Sequence, residues 1–316
     1  MTPKISDLLT GLKKNVSLAP YTTFKIGGKA KYFYRAKTKE NLIKALRVAK
    51  KLKVPFFVLG GGSNLLISDK GFNGLIIKQD IKRYKVLGKK IYSEAGVLFP
   101  TLGKETGKRG LSGLEWAGGL PGTIGGAVSG NAGAFGGETK DTIIWVEALD
   151  TALKIRKFNR KQCHFSYRSS IFKKKGWIVL GVEMELKKGD KEIIQKIAKD
   201  HIRYRKERNP LEYPNTGSIF KNCDLKKVPK KVKEMFKDLI KVDPFPVIPS
   251  AAIIARTGLI GKKIGNAKIS EKHPNFIVNL GGAKAKDVKK LINLVKKIVK
   301  KKFRMILEEE VRSLGF

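Results

Sequence analysis

The sequence predicts a chain of both helices and strands folded into two or three packed lobes. Its 316 residues are 41% hydrophobic, more than one core holds, since single cores stop growing at about 250–300 residues. Helix-period and strand-period stretches both occur along the chain. Glycine is concentrated in two places, each beside apolar runs short enough to be buried strands.

From the N-terminus, Thr38 caps a helix whose Leu42, Ala45, Leu46 and Ala49 recur at helical spacing. A strand is expected over Val54–Leu59, and Gly60, Gly61 and Gly62 then interrupt the chain before a second apolar run, Leu65–Ile67. A turn over Asp69–Gly74 leads to the strand Leu75–Lys78. Between Gly107 and Gly137 lie twelve of the 33 glycines and few charges, in a chain otherwise rich in lysine, so something large is expected to approach this backbone. Asp141–Asp150, Ala152–Phe158 and Ile178–Leu186 read as strands. Asp190 opens an amphipathic helix bearing Ile193, Ile194, Ile197 and Ile202, which Pro210 must end. The main boundary falls there. Beyond Tyr213–Pro214 come a proline-rich stretch, Pro244–Pro249, and a basic helix with Val288, Leu291, Ile292, Val295 and Val299 on one stripe; the chain closes on a strand over Met305–Arg312. No solenoid repeat is visible.

Composition excludes several classes. No apolar run approaches the roughly 20 residues of a helical span, and nothing in Met1–Asn15 marks export, so a cytoplasmic protein without a membrane is expected. Cys163 and Cys223 have no cysteine neighbour in sequence and are expected to be ordinary thiols; His164, His201 and His273 are scattered, so no metal site is expected. The net charge of +40 invites a nucleic-acid reading. Its lysines run along nearly the whole chain without zinc-finger spacing or an aromatic RNA-binding signature, which favours a compositional bias over a nucleic-acid partner. The charge would also draw in substrates bearing phosphates and carboxylates.

Two motifs carry chemistry. Gly60-Gly61-Gly62-Ser63-Asn64 follows a buried strand; its backbone N–H groups can converge on an anion, with Ser63 and Asn64 adding side-chain hydrogen bonds. The spacing is not the G-x-G-x-x-G of a dinucleotide-binding helix. The second block runs from Gly118 through Gly119, Leu120, Pro121, Gly122, Thr123, Ile124, Gly125, Gly126 and Ala127 to Asn131, Ala132, Gly133 and Ala134. Absent side chains let a pyrophosphate and a planar ring lie against main chain, and two such blocks suggest one extended ligand.

Together with Tyr21–Gly28, Tyr167–Phe172, Leu211–Pro214, Gly217–Asn222, Ser270–His273 and Leu307–Arg312, these blocks resemble, in order and over nearly the whole chain, the UDP-N-acetylmuramate dehydrogenases, also called UDP-N-acetylenolpyruvoylglucosamine reductases. The resemblance implies an FAD-binding fold of the p-cresol methylhydroxylase type in two subdomains, expected at residues 1–75 and 76–190, and an α+β substrate-binding domain at 191–316 with the catalytic strand at its end. Cofactor contacts are expected at Thr23, Gly60, Gly61, Gly62, Ser63, Asn64, Gly119, Pro121, Gly122, Gly125, Gly126, Asn131, Gly133 and Ala134. Ser63 stands where covalent flavin oxidases of the superfamily commonly carry a His, which implies dissociable FAD. No insertion bearing a substrate-binding Tyr separates Gly181 from Arg208, which implies the shorter of the family's two types.

The implied reaction uses NADPH to reduce FAD, and the hydride then passes to the β-carbon of the enolpyruvyl ether of a UDP-sugar. Arg168 is the implied cation on the substrate carboxylate, Glu310 the acid that supports the enolate, and Ser218 the proton donor to the α-carbon. Tyr167, Lys221 and Asn222 are implied substrate contacts. The substrate lobe departs from the family pattern between Cys223 and Pro249 and at Arg256, Thr257 and Asn266. A monomer is expected. Three other readings are an alcohol or sugar oxidase on the same fold, a nucleic-acid-binding protein, and a flavin-fold protein without turnover.

Overall fold

The computed structural model describes residues 4–243 and 245–316. Pro244, at the head of the proline-rich stretch, and residues 1–3 of the segment read for export lie outside the described residues. By contact density the chain divides into two compact units, neither continuous in sequence. The described residues of Met1–Val16, Ala30–Gly61 and Asn73–Tyr204 form the first; Ser17–Lys29, Gly62–Phe72 and the described residues of Arg205–Phe316 form the second.

The first unit holds two cores. One lies on a four-stranded sheet of order Lys13–Ser17, Lys29–Ala36, Phe72–Gln79 and Phe56–Leu59. Its last two strands run parallel, Phe56 opposite Leu75 and Leu59 opposite Lys78. The helix Lys39–Lys51 buries Leu42, Ala45, Leu46 and Ala49 against it, and Thr38 Oγ1 accepts from the Asn41 N–H at 3.2 Å, as the cap reading required. The second core lies on a five-stranded antiparallel sheet of order Ile155–Asn159, Ile143–Leu149, Ile178–Glu185, Lys90–Glu94 and Tyr84–Leu87. Ile91, Val146, Val182 and Met184 face its interior with Phe99, Trp116 and Ile124. The strand expected from Ala152 begins at Ile155, because Asp150 Oδ1 accepts from the N–H groups of both Ala152 and Lys154 and makes a turn of the intervening residues.

The helix expected after Asp190 spans Lys191–Arg208, and Asp190 Oδ1 accepts from Glu192 and Ile193 at its start. Its apolar stripe is not a core face. Ile194 alone among the four isoleucines is buried; Ile193, Ile197 and Ile202 are 59%, 36% and 37% exposed.

In the second unit an antiparallel sheet of order Asn215–Ser218, Phe276–Asn279, Ala267–Ile269 and Lys263–Ile264 is covered by the helix Ala285–Phe303. That helix buries all five residues of its predicted stripe. Cys223–Asp224 pairs with Val247–Ile248 and closes the segment that departs from the family pattern; within it Val228, Val232 and Phe236 join the core. The closing strand lies later than expected. Arg312–Leu314 pairs in parallel with Leu65–Ile67, whereas Met305–Val311 belongs to no strand and makes a single bridge, Glu309 to Phe220. Leu65–Ile67 therefore packs with the C-terminal unit although it sits early in sequence.

Candidate active site

In the first unit the two glycine blocks meet. A Cβ on Gly61 would lie 2.7 Å from the Gly122 Cα, and one on Gly60 would lie 2.8 Å from Thr123 Oγ1, so the two turns approach as closely as main chain allows. Pro121 and Gly122 precede Thr123, which caps the helix Ile124–Gly130 by accepting from the Gly126 N–H. Gly125 packs on Ala95 at a distance that excludes a side chain. Several glycines of the second block thus serve protein packing, a reason the open-surface reading of the block did not contain.

Asn131 ends that helix in the left-handed region, φ 43°, where Asn is better tolerated than most residues. Its amide donates to the Ser166 carbonyl at 3.2 Å and its Oδ1 accepts from the Lys140 N–H. Ser166–Ser169 is a tight turn with backbone hydrogen bonds in both directions at 3.0 Å. Arg168 occupies its third position at φ 54°, a conformation rare for a long side chain and characteristic of functional sites when the surroundings enforce it. Its Nη2 donates to the Gly133 carbonyl at 2.9 Å, and its guanidinium lies 4.8 Å from the Tyr167 ring centre. Tyr167, Arg168, Asn131 and Gly133 are therefore one cluster.

In the second unit, Ser63 and Asn64 contact the segments that carry Ser218 and Glu310. The Ser63 carbonyl accepts from Thr216 Oγ1 at 3.1 Å, and Asn64 Nδ2 donates to the Glu310 carbonyl at 3.1 Å. The Ile219 carbonyl, one residue past Ser218, accepts from the Glu310 N–H at 2.8 Å. Ser218 and Glu310 are thereby held on adjacent extended segments. Lys221 and Asn222 are already engaged within the protein: the Lys221 ammonium pairs with Glu308, and Asn222 Oδ1 accepts from the Ser250 N–H at 3.3 Å.

Two features suit the FAD that the resemblance implies. Thr23 Oγ1 is buried with no hydrogen-bond partner among the described residues, the condition of a hydroxyl awaiting a ligand. Gly60–Gly61 and Gly122–Thr123 form a cradle of main chain beside a helix start. A third residue went unrecognised in the sequence. The Lys78 ammonium donates to the Gly60 carbonyl, and burial pushes the Lys78 pKa down although Asp80 opposes the effect. The available signal was a lysine ending an otherwise buried strand.

The cysteines behave as simple thiols in the fold. Burial pushes Cys163 up to about 12. His201 is structural, with Nδ1 2.9 Å from the Glu115 carbonyl and its ring stacked on Phe135. The described residues contain no group of three or more His, Cys, Asp or Glu placed to hold a metal. Among them no helix is long and apolar enough to cross a membrane.

Comparison with known proteins matches residues 30–158 to an FAD binding domain and residues 209–314 to the C-terminal domain of UDP-N-acetylenolpyruvoylglucosamine reductase. The reductase of Caldicellulosiruptor bescii is 40% identical over 305 residues, covering 96% of this chain and 90% of the relative; that of Clostridium novyi is 37% identical over 305 residues, covering 96% and 92%. The crystal structure of the Thermus caldophilus UDP-N-acetylenolpyruvylglucosamine reductase superposes with a TM-score of 0.76 at 32% identity, covering 95% of this chain and 98% of that one. Identity at this level over nine-tenths or more of both partners, with each half matched by its own domain, means that the chain belongs to the UDP-N-acetylenolpyruvoylglucosamine reductase family.

Proposed function

We propose that this chain reduces UDP-N-acetylglucosamine enolpyruvate to UDP-N-acetylmuramate, with FAD as cofactor and NADPH as reductant, in peptidoglycan precursor synthesis. Family membership over nearly the whole chain supports the reaction, and the observation that carries it to residues is the hydrogen bond from the Glu310 N–H to the carbonyl of Ile219, the residue next to Ser218. When bound, FAD supplies the hydride that it has taken from NADPH. Thr23 and the paired glycine turns would hold it, and Ser63 gives it no covalent anchor.

The chain's own residues then meet a charge problem. Hydride addition at the β-carbon leaves electron density on the α-carbon and the carboxylate, which bulk water would stabilise only at a reorganisation cost. Arg168 would counter it with a guanidinium whose orientation the Gly133 carbonyl fixes. Glu310 would support the enolate in its protonated form, and Ser218 would pass a proton to the α-carbon, completing addition of H⁻ and H⁺ across the double bond. Tyr167 would border the substrate beside Arg168. For Lys221 and Asn222 to contact the sugar nucleotide, the substrate would share or displace Glu308 and the Ser250 N–H.

The separation of the two cores in the first unit supports two FAD-binding subdomains, but the strand Phe72–Gln79 belongs wholly to the sheet of the first core and the second core begins at Ile81, so the division falls near residue 80 and not at 75. We further propose a cytoplasmic monomer without a nucleic-acid partner; the even spread of lysine along the chain supports the last point.

Anaerobic spectroscopy tests the reaction. The purified protein is expected to be yellow, to bleach with NADPH and to regain colour on addition of the enolpyruvyl nucleotide sugar. Colour that returns only with oxygen would replace the reductase by an oxidase.

Lys78 yields a cofactor prediction independent of turnover. Lys78→Met keeps the apolar stem but removes the bond to Gly60 and a cation beside the glycine turn, so FAD affinity of the apoprotein is expected to fall about tenfold, the worth of one charge-assisted hydrogen bond. Titration followed by flavin fluorescence checks it. Riboflavin, which lacks the pyrophosphate, should bind both proteins alike; an equal loss for both flavins would mean that Lys78 only shapes the turn.

A further inference from the structure

Three successive glutamates, Glu308, Glu309 and Glu310, precede the closing strand, and the reaction reading above assigns a role to one of them. Consecutive residues of extended chain point to opposite sides, so a slip of one residue would put the wrong carboxylate in place. Main-chain pairing is sparse along residues 305–311 themselves, and the ladder with Leu65–Ile67 begins only at Arg312. The segment has one bridge, Glu309 to Phe220, and hydrogen bonds from Lys221 N–H to Glu308 and from Glu310 N–H to Ile219. Apolar alternation helps, since Met305, Leu307 and Val311 are buried while Ile306 is 78% exposed. Glu309 falls on the odd-numbered side between Leu307 and Val311 and is itself half-buried, where a carboxylate gains from a partner.

It has two. Lys289 Nζ lies 2.9 Å from Glu309 Oε2, and Lys296 Nζ lies 2.9 Å from Oε1. Both lysines come from the helix Ala285–Phe303, seven residues apart and so on one face. Each oxygen of the carboxylate is held by a different cation on a rigid element. Burial alone would raise the Glu309 pKa, but the two lysines hold it below the usual carboxylate range. Glu308 is separately tied to Lys221.

We infer that the Lys289–Glu309–Lys296 clamp is a positioning device that fixes the register of the 308–311 segment, so that Glu310, and not a neighbouring glutamate, serves the reduction. The inference rests on the role proposed for Glu310. Helix and extended segment belong to the same unit, so the clamp acts locally.

The experiment compares holoenzyme with Lys289→Met/Lys296→Met, Lys289→Arg/Lys296→Arg and Glu310→Gln in the two half-reactions. The double Met variant is expected to bind FAD and be reduced by NADPH within about twofold of the parent. Its reoxidation by the enolpyruvyl sugar should slow about 10- to 100-fold, the penalty of a misplacement near one ångström. The double Arg variant, which restores both cations, should recover to within about threefold. Single Lys→Met variants, each leaving one cation, should fall between, and keep the inference testable if the double variant folds poorly. Reoxidation at the parent rate in the Met variants, with Glu310→Gln strongly impaired, would overturn the clamp. A Glu310→Gln protein that reoxidises normally would instead overturn the role of Glu310, and the clamp's catalytic purpose with it.

Discussion

Ser218→Ala is expected to leave flavin reduction by NADPH within about twofold of the parent while slowing reoxidation by UDP-N-acetylglucosamine enolpyruvate by about 10²- to 10⁴-fold, the usual contribution of a positioned proton donor. The separation follows from where Ser218 sits. It ends the strand Asn215–Ser218, opposite Phe276, and the carbonyl of the next residue holds the Glu310 N–H. Those contacts are made by main chain, so alanine keeps the register, the fold and the approach of Glu310 while removing the hydroxyl. A serine hydroxyl is a poor acid in water, and it can serve here only against a strongly basic carbon in a site that excludes solvent. Stopped-flow traces of each half-reaction at saturating ligand give the answer. Equal slowing of both would remove Ser218 from proton transfer and make it a residue of general architecture.

Much of this arrangement was legible in the sequence where local signals coincide. Thr38 and the stripe Leu42–Ala49 specify both the start and the buried face of a helix, and the structure reproduces them. The same holds for Val288–Val299. Between residues 191 and 208 the isoleucines give an equally clear stripe, yet three of the four remain exposed; periodicity reports that a face is apolar, not that a partner covers it. The late position of the closing strand was illegible for a related reason. Met305–Val311 alternates like a strand, but whether an extended segment becomes part of a ladder depends on a neighbour, and Leu65–Ile67 pairs with Arg312–Leu314 from some 250 residues away.

The residues proposed for catalysis became visible through motif resemblance; what supports them did not. Gly61 and Gly125 read as openings for a ligand, and the structure gives them a second duty, the contacts with Gly122 and Ala95. Glu309 was indistinguishable from its neighbours, although its odd-numbered place between the buried Leu307 and Val311 was readable. Lys289 and Lys296 could not be singled out in a helix with so many lysines, since their choice depends on which face meets the 305–311 segment.

Arg168→Lys is expected to raise the concentration of enolpyruvyl sugar needed for half-maximal reoxidation by about 30- to 150-fold, with NADPH reduction unaffected. Charge is conserved in this change, so the effect isolates geometry. A guanidinium presents five N–H donors in a plane and can bind a carboxylate through two of them. In this fold Nη2 is also held by the Gly133 carbonyl, which fixes the plane before substrate arrives. A lysine ammonium is a point charge on a flexible stem and cannot keep the Gly133 contact while offering a two-pronged face to a carboxylate. Losing one charged hydrogen bond costs about 2–3 kcal/mol, and each 1.4 kcal/mol is about tenfold. The turn itself should persist, because the φ of 54° belongs to the Ser166–Ser169 backbone bonds and lysine meets the same backbone cost there as arginine. The dependence of reoxidation rate on substrate concentration checks the prediction. Half-saturation at the parent concentration in Arg168→Lys would mean that residue 168 supplies charge alone; half-saturation at the parent concentration in Arg168→Met as well would remove the residue from the substrate carboxylate altogether.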